Sequence, residues 1–129
     1  MLSTSIRLLL VCFCIVAFCS CTKEGMGGKV NIIAYPKHHS KPIPNSMVYI
    51  KYGTIDFPGS NVSMYDDSLK ATTNSTTDPS SKFESLNKGK YYLYSVGWDS
   101  AIAQVVSGGL PVEIKIKSGD LEVVIPVTE

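Results

Sequence analysis

Two adjacent histidines, His38 and His39, stand in the segment PKHHSKPIP and are the only histidines of the chain. Imidazole nitrogens suit zinc, copper or nickel. On an extended chain neighbouring side chains point to opposite sides, so both rings reach one ion only through a turn. Further ligands would come from Asp56, Asp66, Asp67 or Asp99, which fall in expected loops or strand ends, and no D-x-D-x-D-G spacing offers a calcium loop. The plain alternative is a pair of solvated loop residues fixed between prolines. A second candidate is VGWDS, where Trp98 and Asp99 meet at a strand end. By alternation Tyr92, Tyr94 and Trp98 share one face of that strand, opposite Tyr91. An exposed aromatic row of this kind binds sugars or partner proteins. The plain alternative is again packing, with the rings in the core or under a covering loop such as residues 53–66.

Catalytic patterns are missing. The chain has no GxSxG, no HExxH, no P-loop and no cysteine after Cys21, so a non-enzymatic protein without a cofactor is expected and a hydrolase is the remote alternative. Residues 21–129 carry eleven lysines, eleven acids and no arginine. A neutral domain without guanidinium forks is a poor binder of phosphate, and no nucleic-acid partner is expected.

The elements that must position these residues alternate with period two. Val30, Ile32 and Ala34 share a face, as do Val48, Ile50 and Tyr52, and Val112, Ile114 and Ile116. Turn chemistry recurs about every ten residues, in PKHHSKPIPN, GTIDFPGSN, TTNSTTDPSS, LNKGK, SGGLP and KSGD. Short strands at that spacing predict an all-β fold, a single seven-stranded β-sandwich. Six strands are expected near 29–35, 46–52, 81–85, 90–98, 109–117 and 120–127, with a weaker seventh near 62–71. Pro126 donates no ladder hydrogen bond, which puts the last strand at an edge or bonds it on its other side there.

The four cysteines, Cys12, Cys14, Cys19 and Cys21, all sit at the front. Arg7, an apolar run from Leu8 to Phe18 and small or polar residues before Cys21 form the layout of a secretory signal peptide. Eleven apolar residues span only about 16 Å as a helix against a bilayer core of about 30 Å. Cleavage before Cys21 leaves one thiol and no internal disulfide. The run ending in Ser20-Cys21 resembles the lipobox of bacterial lipoproteins, in its looser Bacteroidetes form. That resemblance implies lipidation at Cys21, partnership with the membrane through the anchor, and a place in the cell envelope on the outer membrane, facing the periplasm or the surface. The expected organisation is a signal peptide at 1–20, a lipidated tether at 21–28 and the sandwich at 29–129.

The stretch FESLNKGKYYLYSVGWD, residues 83–99, sets Leu86, a turn closed by Gly89, and Tyr91 at the next strand's start. It resembles the tyrosine corner of Greek-key sandwiches, in which the phenol bonds the backbone across the turn, making Tyr91 and Gly89 structural. It also resembles the "F…L..G.Y.L" ending of prealbumin-like, collagen-adhesin B-type and carboxypeptidase regulatory-like domains, which implies a prealbumin-like Greek-key sandwich. The lysine-to-asparagine isopeptide bond of some adhesin repeats is not carried over, because DLEVVIPVTE contains no asparagine. Nor is the hydroxyisourate hydrolase activity of one prealbumin branch, because residues 21–129 hold no arginine and end in PVTE rather than Tyr-Arg-Gly-Ser. Asp67-Ser68-Leu69 and Asp99-Ser100-Ala101 resemble the Bacteroidetes O-glycosylation acceptor, making Ser68 and Ser100 candidate modified residues. The function expected is a lipid-anchored module that binds or supports an envelope protein. The alternative is a small ligand-binding lipoprotein, for glycan through its aromatic face or for metal through His38 and His39.

Overall fold

In the computed structural model, which describes residues 23–73 and 77–129, two four-stranded sheets face each other. Cys21 and the signal-like segment lie outside the described residues. The strands are β1 (Met26–His38), β2 (Lys41–Pro42), β3 (Met47–Tyr52), β4 (Asp67–Lys70), β5 (Ser81–Leu86), β6 (Gly89–Asp99), β7 (Gln104–Ile114) and β8 (Ser118–Pro126). Among the described residues, the helical structure is one 3-10 turn, Val62–Met64, and no helix is long and apolar enough to cross a membrane.

The first sheet is organised around β1. Its residue Lys37 pairs with Pro42 of β2 and with Pro126 of β8, and Ile32 to Ala34 pair with both β5 and β8. β8 therefore lies on one side of β1, with β5 and β2 on the other. The β1–β8 pairing is parallel. The second sheet runs β4-β3-β6-β7 with every neighbour antiparallel. Between the sheets Val30, Ile32, Phe83 and Ile125 meet Val48, Ile50, Leu93 and Ile114, all buried. Each such side chain contributes about 1.5–3 kcal/mol on leaving water.

Several boundaries differ from the alternation reading, each for a local reason. β1 begins at Met26 rather than at 29, so the last three residues of the expected tether belong to the sheet. The weak seventh strand is the 3-10 turn followed by β4, and the loop around the histidines contains β2, which raises the count to eight. SGGLP is not a turn: it lies inside β7, whose hairpin with β6 closes at residues 100–103. Its glycines are there for close approach. A side chain at Gly108 would run into the carbonyl of Pro126, and one at Gly109 into the Tyr92 ring. Pro126 does sit on an edge strand, and because Val127 N donates to Lys37 O at 3.0 Å, the missing donor of Pro126 faces away from β1.

Tyr91 secures the start of β1. Its hydroxyl donates to Asn87 O at 2.6 Å across the β5–β6 turn and accepts from Gly25 N at 2.8 Å. Asn87 returns the favour, its backbone N–H donating to Gly25 O at 2.8 Å and its amide to Lys23 O at 2.9 Å. Gly89 closes the turn with φ of 137°, where a side chain would also strike Glu24. Replacing Tyr91 by Phe leaves the buried Gly25 N–H without an acceptor. Urea unfolding of Tyr91→Phe is expected to show a loss of about 1–3 kcal/mol, and an unchanged midpoint would separate this phenol from the stability of the fold.

Candidate functional site

β1 and β6 end at the same pole of the sandwich, opposite the Tyr91 turn, and each delivers a buried polar residue there. His38, the last residue of β1, is 5% exposed, and Asp99, the last of β6, is 3% exposed. The His38 Nδ1 lies 2.8 Å from Asp99 Oδ2. The other Asp99 oxygen accepts from Ala101 N at 2.9 Å and faces Lys41 Nζ at 3.5 Å. The bond from His38 holds the Asp99 carboxyl below the ordinary carboxylate range against the opposing cost of desolvation, with the Ala101 N–H and Lys41 adding to the effect. His38 is therefore not a solvated loop residue, and Asp99 is not an open contact beside Trp98.

The turn that both histidines would need is present. His39 and Ser40 form a two-residue hairpin between β1 and β2, with φ of 47° and 66°. Two successive positive φ values are the mark of a type I′ turn, which favours Asn-Gly rather than His-Ser. The turn carries the two rings to one side, with centroids 4.3 Å apart. Glu129 joins them from a distant part of the sequence. Beyond β8 the chain crosses to the second sheet, Thr128 exchanging both backbone hydrogen bonds with Ser107 of β7, and Gly108 makes room for that crossing. Glu129 Oε2 consequently stands 2.9 Å from His38 Nε2. The approach is off the line of the ring N–H, so the contact is an ion contact and not a hydrogen bond, and Nε2 is buried without a hydrogen-bond partner among the described residues. The Glu129 carboxyl is lowered first by its own backbone N–H and, against desolvation, by His38 and His39. Asp56, Asp66 and Asp67 are not part of this group. Asp66 accepts from Tyr52 N at the other end of β3, and Asp67 pairs with Ile50.

The aromatic row is divided. Tyr92, Tyr94 and Trp98 do share the outer face of β6, but residues 53–66 fold over the first two. Tyr65 stacks on Tyr94 at 5.7 Å and 17°, and Phe57 lies 5.6 Å from both Tyr92 and Tyr94. Tyr94 is 7% exposed, which removes it as a contact residue, and Tyr92 is half-buried beneath the same cover. Trp98 lies beyond the loop, 55% exposed, opposite the exposed Val105 of β7, and Ile102 in the hairpin tip is exposed as well. On its other side a groove of about 290 Å³ runs between Trp98 and Ser100 and the segment Pro42 to Asn45. Ser68 on β4 and Ser100 are both exposed.

The aromatic cover has a pH signature. Burial pushes the Tyr65 phenol up from 10.0 to about 12, with Tyr92 and Tyr94 adding to the rise. Its hydroxyl also donates to Gly59 O at 2.9 Å, closing the loop on itself. An unfolded chain releases this proton near pH 10 and the folded one only near 12, so the contribution is complete below the lower value and is lost as pH rises through the upper. The urea midpoint is expected to fall between these values, and Tyr65→Phe, which keeps the stacked ring, to reduce the fall. Equal alkaline sensitivity in the two proteins would refute the assignment. Comparison with family models, curated proteins and solved structures finds no match, so the pole of His38, Asp99, Glu129 and Trp98 is read from its own geometry.

Proposed function

We propose that this chain is a non-enzymatic, lipid-anchored module of the cell envelope, which binds another envelope component through the pole of the sandwich farthest from its anchor. The observation that carries this reading is the fixed entry of the chain. Lys23, Gly25 and Met26 are hydrogen-bonded to the β5–β6 turn through Asn87 and Tyr91, two to five residues after Cys21. An acyl chain on Cys21 would thus seat the β5–β6 turn close to the outer membrane. From there β1 runs thirteen residues, about 40 Å at the usual rise per residue, to His38.

The opposite pole carries the exposed Trp98, Val105 and Ile102 beside a groove of mixed lining, apolar at Ile43 and its flanking prolines and polar at Lys41, Asn45 and Ser100, a surface that suits a protein partner. The same groove supports the alternative in which the ligand is a glycan, with Trp98 as the stacking platform. The finer fold reading, a prealbumin-like Greek key, is supported by the parallel pairing of first and last strands and by the way successive strands change sheets after β2, β4, β5 and β7.

The test is a tagged pull-down from gently solubilised envelopes using the full-length protein, Cys21→Ala and Trp98→Ala. Cys21→Ala is expected to lose acyl labelling and leave the membrane fraction. Trp98→Ala should remain membrane-bound with its melting temperature essentially unchanged, because an exposed side chain costs little to truncate, yet lose its co-purifying partner. Unchanged membrane association of Cys21→Ala would remove the anchor. A partner retained by Trp98→Ala would move the contact elsewhere. Trp98 is the single tryptophan, so a blue shift of its emission on adding a purified partner or glycan reports binding directly.

A further inference from the structure

The distal pole holds an arrangement that the anchoring and docking reading leaves unused. Asp99 accepts from His38 Nδ1, which leaves Nε2 as the nitrogen that faces Glu129. Nε2 is buried, has no hydrogen-bond partner among the described residues, and stands 2.9 Å from Glu129 Oε2. A ring nitrogen and a carboxylate oxygen this close without an aligned hydrogen bond can share a metal ion between them. His38, His39 and Glu129 each present one donor atom, and the three atoms lie within 4.8 Å of one another. With bonds of about 2.0–2.1 Å, two ligands of a tetrahedral ion stand about 3.3 Å apart, so the His38–Glu129 pair needs to open only slightly and His39 to swing inward. His39 is exposed on its turn and free to do so.

We propose that His38 Nε2, His39 and Glu129 bind one divalent transition-metal ion of the zinc class, with Asp99 orienting His38 from behind. Two imidazoles and one carboxylate are a borderline donor set, suited to zinc and poor for magnesium or calcium, which prefer all-oxygen cages. The carboxylate–histidine–metal arrangement through Asp99 holds the ring with Nε2 toward Glu129. The choice of histidine at the first position of a type I′ turn, where glycine or asparagine relieves the left-handed backbone, fits a residue retained for its ring. The ion would have three protein ligands, and a pocket of about 460 Å³ lies beside His39, shared with Ser40, Pro126 and Thr128. The ion ties the β1–β2 hairpin to the segment beyond β8.

Full-length protein in detergent, stripped with a chelator, is dialysed against zinc chloride and its bound metal counted by mass spectrometry, while circular dichroism follows the melt. One zinc per chain is expected, with the melting temperature rising on the order of 10 °C at a hundredfold excess over the dissociation constant. His39→Ala and Glu129→Gln change exposed side chains and should fold as before, each weakening zinc at least about tenfold. Asp99→Asn, which keeps the shape but loses the anionic acceptor, should weaken it about 10–100-fold. Magnesium at the same concentration should leave the melt in place. Failure to retain zinc, equal retention in both surface variants, or an equal response to magnesium overturns the proposal. Acyl labelling at Cys21 and partner capture through Trp98 are read separately, so those results stand or fall on their own.

Discussion

The first sheet depends on a single strand having hydrogen-bonding partners on both of its sides. β1 is that strand: β8 runs parallel along one edge, β5 and β2 lie along the other, and none of those three touches another across the sheet's hydrogen-bonding direction. Its inward residues, Val30, Ile32, Ala34 and Pro36, supply the floor of the core, and the next in the series is His38. Alternation carries a hydrophobic floor into a buried imidazole without any change of register. The buried ring then needs an acceptor, and β6 delivers one at the matching depth in Asp99. Core and polar pole are thus two ends of the same pleat.

The second sheet solves the opposite problem. Its outer face is rich in rings, and a flat aromatic surface left open invites association. The loop from Gly53 to Asp66 folds back over Tyr49, Tyr92 and Tyr94, pinned by the Tyr65 bond to Gly59 and by Asp66, whose carboxylate accepts from Tyr52 N while its own N–H donates to Ile50 O. The cover stops short of the β6–β7 hairpin. Trp98 and Val105 are left as a cross-strand apolar pair on an otherwise screened sheet.

Period-two alternation made the strands legible, because one face of each is buried and the pleat turns burial into a sequence pattern. The tyrosine of residues 83–99 was legible because its turn and its ring are close in sequence. Glycines were ambiguous. Gly108 and Gly109 mark a crossing of β8 and a seat for the Tyr92 ring, and no single-sequence cue separates a glycine that bends the chain from one that admits a neighbour. His38 and His39 stand out by type, but the burial of His38 and its partners depend on chain crossings, 61 residues apart for Asp99 and through the Thr128 bridge for Glu129. An acid at the end of an alternating strand carries no local sign of the ring it will face. The loop cover over the tyrosines is partly legible in the composition of residues 53–66, where Phe57 and Tyr65, among polar neighbours, are the two rings that form it.

The parallel pairing of β1 with β8 also has a kinetic side. Asn31 and Asp120, hydrogen-bonded side by side, are 89 positions apart, and the whole of β8 is paired at similar separation. β1 cannot acquire its second partner until nearly all the intervening chain has been made, and contacts that distant form slowly because the loop between them must close first. The first sheet of a nascent chain therefore stays open along one side of β1 until β8 has been made, and β8 is the strand whose arrival completes it.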